Sequence, residues 1–437
     1  MAEKVDTLIH ARWLVPVEPA KQVIEGASIA LRGGRIVSVG ERDQISVEAD
    51  EEFSLDDHVL LPGFVNAHGH AAMVLFRGYA DDMRLQAWLD ERIWPLEHAW
   101  VDQDFVRDGT ELAIAEMLRA GTTCFSDMYY FPEAAARAAC DAGLRAQITF
   151  PIVRFPNNWS RDADDCIHRG LALRDDLRSQ RRLIIGFGPH ATYTLEPKNL
   201  ERIATYATEL DAPVQIHLHE TTAEVENAVK ETGERPLDLV ERVGLLGPTL
   251  QTVHMTQLTD ADIETLAATD TAVVHCPQSN LKLASGIAPI AAMRRAGIRL
   301  GLGTDGAAGN NGLSMMREMN AASLLAKISN HDATELSAFD ALHLATLGGA
   351  IALGLGDEIG SLVPGKSGDI IAIDLSELET QPVYNPISHL VYTACAHKVS
   401  HLWCEGELLM RERVLLTLDE DRVGAQARAW AERIRKS

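Results

Sequence analysis

The sequence predicts an α/β fold, in which a (β/α)8 barrel of the TIM type is joined to a small β-sandwich domain built by both ends of the chain. The length of 437 residues suits a large barrel with a smaller companion domain. Short apolar runs alternate with helical segments through the middle of the chain, and strand-like sequence lies at both ends. We therefore predict a barrel over residues 61–364, between the two parts of the small domain at 1–60 and 365–437.

Both ends of the chain have the pattern of β-strands. Two β-rich runs within residues 28–40 flank a Gly-Gly pair, which is typical of a hairpin turn. Residues 365–374 read as a turn that runs into a strand, a second β segment follows at 399–415, and a short helix at 423–434 ends the chain. We expect these two β regions to form one small sheet domain beside the barrel.

Eight short apolar runs between these ends read as buried strands. The segments between them, such as 108–120 and 222–243, have apolar residues at helical spacing. Buried strands that alternate with helices predict a parallel sheet closed into a barrel. The predicted strands are 63–67, 122–126, 144–150, 183–188, 214–219, 250–254, 272–275 and 299–304.

The charge and composition argue against several classes of protein. The formal net charge of −23 predicts a protein that repels nucleic acid and anionic membranes, so we expect neither as a partner. No apolar run approaches the length of a membrane span, and the N-terminus lacks the pattern of a signal peptide. The cysteines form no C-x-x-C pair, which is typical of reduced thiols in a cytoplasmic protein. They are Cys124, Cys140, Cys166, Cys276, Cys395 and Cys404.

Histidines and carboxylates cluster where the predicted strands end. Active sites of such barrels form at the carboxyl ends of the strands, and seven of the sixteen histidines fall there. This clustering predicts one polar site on one rim of the barrel. The residues at the strand ends are His68, His70, His190, His217, His219, Glu220, His254, His275 and Asp305.

Part of this set has the composition of a metal site. A hydrolytic zinc site needs three or four protein ligands and an open position for water, and His68, His70, one histidine of strand five and Asp305 meet that need. His217 and His219 share one strand face, so alternation leaves the choice open. We favour His217 as the ligand and His219 as a residue behind it. Zinc is the expected ion, while Fe²⁺ and Mn²⁺ also suit these ligands.

Three residues are expected to carry the chemistry. Glu220 is placed to move a proton from a water molecule to a leaving group, and His254 to orient that water or stabilise charge. Asp305 can accept a hydrogen bond from the water as well as bind the metal. His275 has two equally supported interpretations, a donor in the pocket or a hydrogen-bonded core residue.

Taken together, these motifs resemble the amidohydrolase superfamily. The resemblance lies in PGFVNAHGH at 62–70, HLHE at 217–220, VH at 253–254 and GTDG at 303–306, and it spans nearly the whole chain. Members with two metals take a modified lysine from strand four, where this chain has none, so the resemblance implies one divalent metal, usually zinc. The ligands that it implies are His68, His70, His217 and Asp305.

Within that branch the chain resembles the 5′-methylthioadenosine/S-adenosylhomocysteine deaminases. The motifs are SNLKLASG at 279–286, GPH at 188–190 and WPLE at 94–97. The resemblance implies that Glu97 binds the ribose hydroxyls, that His190 contacts the substrate, and that the enzyme is a homodimer or tetramer. In this chemistry a proton passes to purine N1, water attacks C6 and ammonia leaves, with Glu220 and Asp305 also touching the substrate.

The end of strand three is expected to decide between substrates. Members that act on S-adenosylhomocysteine often have an arginine there, whereas this chain has Phe150, with Arg154 four residues later. A phenylalanine suits a neutral methylthio group. We therefore expect 5′-methylthioadenosine as the substrate, with S-adenosylhomocysteine or adenosine as the next candidates, and we include both side chains among those near the substrate.

Other functions use the same scaffold. Guanine deaminases and the aminohydrolases or chlorohydrolases of s-triazines share the metal site, so only the pocket separates them from a nucleoside deaminase. A metal-free barrel that serves as a scaffold or binding protein would lack part of the ligand set, which is complete here. A nucleic-acid deaminase would carry the H-x-E…P-C-x-x-C zinc pattern, which the chain lacks.

Overall fold

A computed structural model describes residues 3–393 and 396–436 of the chain. Its strands are β1 (Glu3–Leu14), β2 (Ile24–Arg32), β3 (Arg35–Glu41), β4 (Val47–Pro62), β5 (Phe64–Asn66), β6 (Thr122–Asp127), β7 (Arg145–Ile152), β8 (Leu183–Pro189), β9 (Val214–Leu218), β10 (Leu250–His254), β11 (Ala272–His275), β12 (Leu300–Leu302), β13 (Ile370–Asp374), β14 (Val399–Cys404), β15 (Glu407–Arg411) and β16 (Val414–Leu415).

The helices are interleaved with the barrel strands and continue after them. They are α1 (Leu85–Trp88), α2 (Trp94–Trp100), α3 (Gln103–Arg119), α4 (Pro132–Ala142), α5 (Ala163–Leu177), α6 (Pro197–Leu210), α7 (Thr222–Thr232), α8 (Pro236–Arg242), α9 (Asp260–Ala268), α10 (Pro277–Lys282), α11 (Ile290–Arg295), α12 (Ala307–Asn310), α13 (Met315–Asn330), α14 (Ala338–His343), α15 (Gly349–Ala352), α16 (Pro386–Tyr392) and α17 (Glu420–Arg435).

Strands β5 to β12 form the barrel. Neighbouring strands pair in chain order and run parallel. The amide of Ala67, just after β5, donates to the carbonyl of Leu302 in β12 at 2.9 Å, so the last strand meets the first. The predicted (β/α)8 barrel is confirmed, and each of the eight predicted runs overlaps one of these strands.

The barrel strands are buried on both faces, as parallel strands are when helices cover them outside and side chains fill them inside. Every residue of β6, TTCFSD, is buried, and so is every residue of β10, LQTVH. The polar side chains at the ends of such strands therefore leave the core only at the rim. This places the strand-end histidines around one opening.

In the described part of the chain, the second sheet takes strands from both ends. Its order is β16-β15-β14-β13-β4-β1-β2-β3, so β13 pairs antiparallel with β4 from the N-terminal part. Buried side chains from both halves of this order, such as Ile29 of β2 and Trp403 of β14, share one core. The predicted divided domain is confirmed, while its boundaries at residues 60 and 365 stay a prediction.

A buried ion pair joins the two domains. Arg145 begins β7 of the barrel, and its Nε lies 3.4 Å from Oδ2 of Asp369, which directly precedes β13. Both side chains are almost fully buried. Ser367 donates to the other oxygen of Asp369 at 2.7 Å. The contact fixes the small domain against one barrel strand.

The five cysteines that the structure describes are free thiols. Cys124, Cys166, Cys276 and Cys404 are buried, whereas Cys395 lies outside the described residues. Among the helices of residues 3–393 and 396–436, none combines the length and the apolar character that crossing a bilayer requires.

Candidate active site

Four of the predicted site residues converge at one mouth of the barrel. His68 and His70 follow β5, His217 lies in β9, and Asp305 follows β12. Oδ1 of Asp305 lies 3.2 Å from Nε2 of His70 and 3.6 Å from Nε2 of His68. The Nε2 atoms of His68 and His217 lie 3.2 Å apart. Three barrel strands thus bring four ligand-type side chains to one point.

The outer ring nitrogens of the three histidines have protein partners. Nδ1 of His68 donates to Oε1 of Gln215 at 2.7 Å, and Nδ1 of His70 donates to the carbonyl of Met128 at 2.6 Å. Nδ1 of His217 donates to the carbonyl of His190 at 2.7 Å. Each bond fixes the tautomer, so each Nε2 presents a lone pair toward the others. This is the pattern that protein groups behind a metal site produce, and the donor set fits a divalent cation.

A layer of buried glutamines supports His68 from inside the barrel. Gln215 of β9 donates to Oε1 of Gln251 at 2.8 Å, and Gln147 of β7 donates to the same oxygen at 2.7 Å. All three amides are buried. Because polar groups in a barrel interior are costly unless they are bonded, this network holds the His68 ring in one orientation.

Two overlapping groups of side chains have the spacing of a metal site. One is His68, His70 and Asp305, and the other is His68, His217 and His254. Within each group the ligand atoms lie within 4.8 Å of one another. His254 is therefore close to the same cluster of side chains, and its Nε2 also faces Glu220.

Glu220 and His254 face each other beside this cluster. Oε2 of Glu220 lies 3.9 Å from Nε2 of His254, and its Oε1 accepts a hydrogen bond from Ser285 at 3.1 Å. Burial raises the pKa of Glu220, and His254 opposes that rise. A carboxyl group with a raised pKa can bind and release a proton near neutral pH.

The pair His217 and His219 is separated by a turn of the backbone. His219 has a φ of +52°, so the chain leaves the regular strand there and its ring no longer shares the face of His217. Nδ1 of His219 donates to the carbonyl of Gln257 at 3.1 Å, and its Nε2 accepts from the amide of Leu237 at 3.1 Å. His219 therefore lies behind the site, where its ring is fully engaged.

The charged state of Asp305 follows from its neighbours. Burial alone would raise the pKa of Asp305, but the neighbouring rings of His68 and His70 outweigh it and hold the pKa well below its usual range. The amide of Gly306 donates to Oδ1 at 2.7 Å, and Ser279 donates to Oδ2 at 2.5 Å. The side chain is an anion, as a metal ligand must be.

A cavity opens from this cluster toward solvent. Its outer wall is apolar and aromatic, and among its described lining residues there is no lysine or arginine. The residues that form this wall are Met73, Leu85, Trp88, Leu89, Ile93, Trp94, Tyr130, Val153, Phe155, Tyr193 and Leu283. Such a wall suits a neutral, partly apolar ligand group.

Glu97 and His190 line the same cavity. Burial raises the pKa of Glu97 to about 7, while the hydroxyl of Tyr129 acts to lower it. Burial, with some help from nearby histidines, lowers the pKa of His190 to about 4, so its ring is neutral at pH 7. Nδ1 of His190 has no hydrogen-bond partner in the described part of the chain. Both residues thus offer free hydrogen-bonding capacity to a ligand.

Two predicted substrate contacts are not in the cavity. Phe150 is fully buried and faces the helical layer, where its ring centroid lies 4.9 Å from that of Phe187. A Cβ on Gly170 of α5 would meet the Phe150 ring at 2.2 Å, so the ring fills the space between β7 and α5. Arg154 is exposed and outside the cavity lining. The expectation that these two meet the substrate is corrected: Pro151, Val153 and Phe155 line the cavity instead.

His275 belongs to the core beneath the site. It is 2% exposed and does not line the cavity, and burial lowers its pKa to about 3. Its Nδ1 has no partner within the described residues. Of the two interpretations from the sequence, the pocket donor is not supported by its position.

Several site residues were not identified from the sequence. Tyr129 and Trp88 line the cavity, and the indole nitrogen of Trp88 has no hydrogen-bond partner in the described residues. Trp88 lies in a short helix within the long segment between β5 and β6, where no strand-end rule points to it. Ser279, Asn280 and Ser285 contact the reacting groups and were visible only as part of a motif.

Comparison with known proteins gives a consistent result. A family model described as the amidohydrolase family matches residues 59–409. Two proteins named 5-methylthioadenosine/S-adenosylhomocysteine deaminase, from Teredinibacter turnerae and Saccharophagus degradans, are each 49% identical to this chain. The first aligns with 98% of this chain and 98% of its own length, and the second with 98% and 97%.

A solved structure has nearly the same backbone. It is described as an adenosine deaminase from Xanthomonas campestris with bound zinc, and it is 44% identical to this chain with a TM-score of 0.99. The match covers 100% of both chains. The elements that carry the four converging ligands here are therefore arranged as in a protein that holds zinc.

Proposed function

The chain belongs to the amidohydrolase family, and we propose that it is a metal-dependent deaminase that converts 5′-methylthioadenosine to 5′-methylthioinosine and ammonia. The observation that carries this proposal is the convergence of His68, His70, His217 and Asp305 beside Glu220, at the base of a cavity without a cationic side chain in its described lining. The names of the relatives support the reaction class and the substrate family.

The four converging side chains would hold one divalent cation. Zinc is the proposed ion, because three imidazoles and a carboxylate are its common ligands and a similar structure contains it. Fe²⁺ or Mn²⁺ would suit the same ligands. When bound, such an ion lowers the pKa of a water molecule to about 7 and so supplies a nucleophile at neutral pH.

Glu220 is the proposed proton carrier. It takes a proton from the attacking water and delivers it to N1 of the purine ring, which makes C6 electrophilic. Its raised pKa makes the protonated form more accessible than in an exposed glutamate, which suits a group that carries a proton. His254 faces Glu220, and its Nε2 orients the attacking water by accepting a hydrogen bond from it. Asp305 accepts the proton of the hydroxyl group added at C6 and passes it to the departing amino group, which leaves as ammonia.

Glu97 and His190 are proposed to select a nucleoside over a free base. An ionised carboxylate can accept two hydroxyl donors, which matches the 2′- and 3′-hydroxyls of a ribose. Glu97 lies in the cavity wall with its carboxylate available. His190 lies at the end of β8 with one ring nitrogen unpaired in the described structure, and it would bond the edge of the purine.

The outer wall is proposed to favour the methylthio group. The carboxylate of S-adenosylhomocysteine would need a cation, and the described lining offers neither lysine nor arginine. Arg154 is exposed and lies outside that lining. The preference for a methylthio group, which was expected from Phe150, is instead supported by other residues, among them Val153 and Phe155.

A comparison of substrates tests the proposal. We expect ammonia release to be fastest from 5′-methylthioadenosine, slower from S-adenosylhomocysteine and adenosine, and absent from guanine. An s-triazine measured for amine and chloride release completes the set. A highest kcat/KM for guanine or the triazine would overturn the proposal, and a highest value for S-adenosylhomocysteine would overturn the argument from the outer wall.

A further inference from the structure

One short segment touches three of the reacting side chains. The loop after β11 begins with α10 and continues to residue 285. Within it Ser279 donates to Oδ2 of Asp305 at 2.5 Å, and Ser285 donates to Oε1 of Glu220 at 3.1 Å. Asn280 accepts from Nδ1 of His254 at 2.8 Å. We call residues 277–285 the strand-seven segment.

The bonds to His254 and Glu220 each use one atom of the side chain and leave another atom free. Because the oxygen of Asn280 can only accept, Nδ1 of His254 carries the proton and Nε2 is left with a lone pair on the side of Glu220. Ser285 bonds Oε1 of Glu220, which leaves Oε2 nearest to His254. The contacts thus decide which atoms face the cavity.

The backbone at His254 needs such support. His254 has a φ of +73° and the next residue, Met255, a φ of +49°, a region that residues with a side chain seldom occupy. Backbone in this region persists where surrounding contacts hold it. Asn280, which is 1% exposed, supplies the side-chain contact to His254 at this turn.

A buried carboxyl group anchors the strand-seven segment. Glu318 of α13 is fully buried and accepts from the backbone amide of Gln278 at 3.1 Å and from its side chain at 2.9 Å. It also accepts from Asn310 at 2.7 Å. Asn310 in turn donates to the carbonyl of Thr304 at 2.6 Å, next to Asp305. One carboxyl group therefore ties the strand-seven segment to the loop that carries Asp305.

We propose that the strand-seven segment is a positioning element of the active site and that Asn280 is its positioning residue for His254. Asn280 lies outside the cavity lining, so it acts through His254 and not on the substrate. By fixing the tautomer and ring plane of His254, it keeps Nε2 as an acceptor toward the reacting atoms. This inference rests on the proposed deaminase function for its kinetic effect, but the tautomer can be observed without any substrate.

The kinetic test compares three variants of the zinc-loaded protein. Asn280→Ala should lower kcat about 10- to 100-fold, as the loss of a group behind an active-site histidine does, with KM within about threefold. Asn280→Asp keeps an oxygen for Nδ1 and should regain much of the loss. Leu324→Ala, which changes a half-exposed leucine in α13 outside the segment, should match the wild type. Zinc content and melting temperature are measured for each.

Histidine ¹⁵N NMR gives a readout that is independent of turnover. In the wild type the ring of His254 should be the tautomer with its proton on Nδ1, and Asn280→Ala should remove that preference. An unchanged His254 spectrum, or wild-type kcat in Asn280→Ala, would overturn the inference. If Asn280→Ala does not fold, Ser285→Ala is measured instead, and an unchanged kcat there overturns the positioning element. A wild type that deaminates no nucleoside would contradict the proposed function, and the NMR comparison would still decide this inference.

Discussion

Among individual residues, Glu220 has the surroundings of a proton carrier. Burial raises its pKa, and the histidine that faces it keeps the charged form within reach. Ser285 holds one oxygen at 3.1 Å and leaves the other beside His254. Such surroundings suit a group that takes and gives a proton, the role proposed for Glu220.

Glu220→Gln should lower the rate of ammonia release about 10²- to 10⁴-fold, because the amide cannot carry the proton. The zinc content should stay at the wild-type value, since Glu220 is not among the four proposed ligands. Ammonia assays and elemental analysis check both points. Glu226→Gln, an exposed change in α7, is the matched control. A near-normal rate in Glu220→Gln would refute the assignment.

Glu97 sets an expected pH dependence. Burial raises its pKa to about 7, with Tyr129 opposing, and only the ionised form accepts two ribose hydroxyls. Ionisation increases as the pH rises, so kcat/KM for 5′-methylthioadenosine should climb between pH 6 and 8 and level off above. In Glu97→Gln the value should be lower and the rise shallower, because only the ionisation of water at the metal, with a pKa of about 7, then remains. A rise as steep as in the wild type would contradict the role given to Glu97.

The positions of these residues could be predicted from the sequence only in part. The strand ends could be located because each apolar run ends there, so His68, His70 and Asp305 could be placed on one rim of the barrel. The choice between His217 and His219 could not be derived, because it depends on a positive φ at residue 219. Phe150 was misplaced because alternation along β7 does not say which face turns toward the helices.

Among the secondary-structure elements, the contact between β12 and β5 decides where the ligands meet. A Cβ on Gly303 would lie 2.8 Å from both the amide nitrogen and the carbonyl oxygen of His68. The amide of Asp305 donates to that same carbonyl at 3.1 Å. The two ligand-bearing loops approach this closely only because residue 303 has no side chain.

Gly303→Ala should therefore separate the two loops and weaken metal binding. We expect a lower melting temperature and a lower zinc content after dialysis, measured by calorimetry and elemental analysis. Gly424→Ala is the control, because its Cβ would meet only the flexible end of Arg428 at 3.3 Å and alanine is favoured in a helix by about 0.5–1 kcal/mol. Unchanged zinc content and stability in Gly303→Ala would contradict this account of the closure.

The elements differed in how well they could be predicted. The eight barrel strands were predictable because each is a short buried run between helical patterns. The role of α1 and α2 as one wall of the cavity could not be derived, because it depends on how residues 85–100 fold back over the barrel mouth. The same holds for the strand-seven segment, whose side chains reach His254 at the end of β10 and the loops that follow β9 and β12.

Over the molecule as a whole, the pair Arg145 and Asp369 couples the barrel to the small domain. Both side chains are nearly fully buried, so each neutralises a charge that would otherwise lie unpaired in the interior. Ser367 and the amide of Glu405 bind the same carboxylate at 2.7 and 2.9 Å. Residues far apart in the chain thus meet on one carboxyl group.

Asp369→Asn should cost about 3 kcal/mol of unfolding free energy, because it leaves the Arg145 cation buried and unpaired. The midpoint of urea unfolding should fall accordingly. Asp141→Asn, which breaks an exposed pair with Arg137, should change the free energy by less than about 1 kcal/mol. Equal stability of the two variants would show that the buried pair does not hold the domains together.

The division of the chain into a central barrel and a terminal sheet domain was predictable. Both ends have strand-like sequence, whereas the middle alternates between short apolar runs and helical segments. The sequence predicts that the two ends share one sheet, but not that β4 and β13 are the strands that join them. The interdomain contact could not be foreseen, because nothing near Arg145 in the sequence signals a partner 224 residues away. The predicted oligomer and compartment stay predictions.

A metal titration tests the central claim, that four residues from distant parts of the chain hold one cation that makes this protein a deaminase. The protein is stripped of metal with a chelator, and ammonia release from 5′-methylthioadenosine is followed as zinc is added back. We predict no turnover without metal and full turnover at one zinc per chain, with no recovery in His70→Ala. Turnover in the stripped protein, or a plateau only at two zinc ions per chain, would contradict the account.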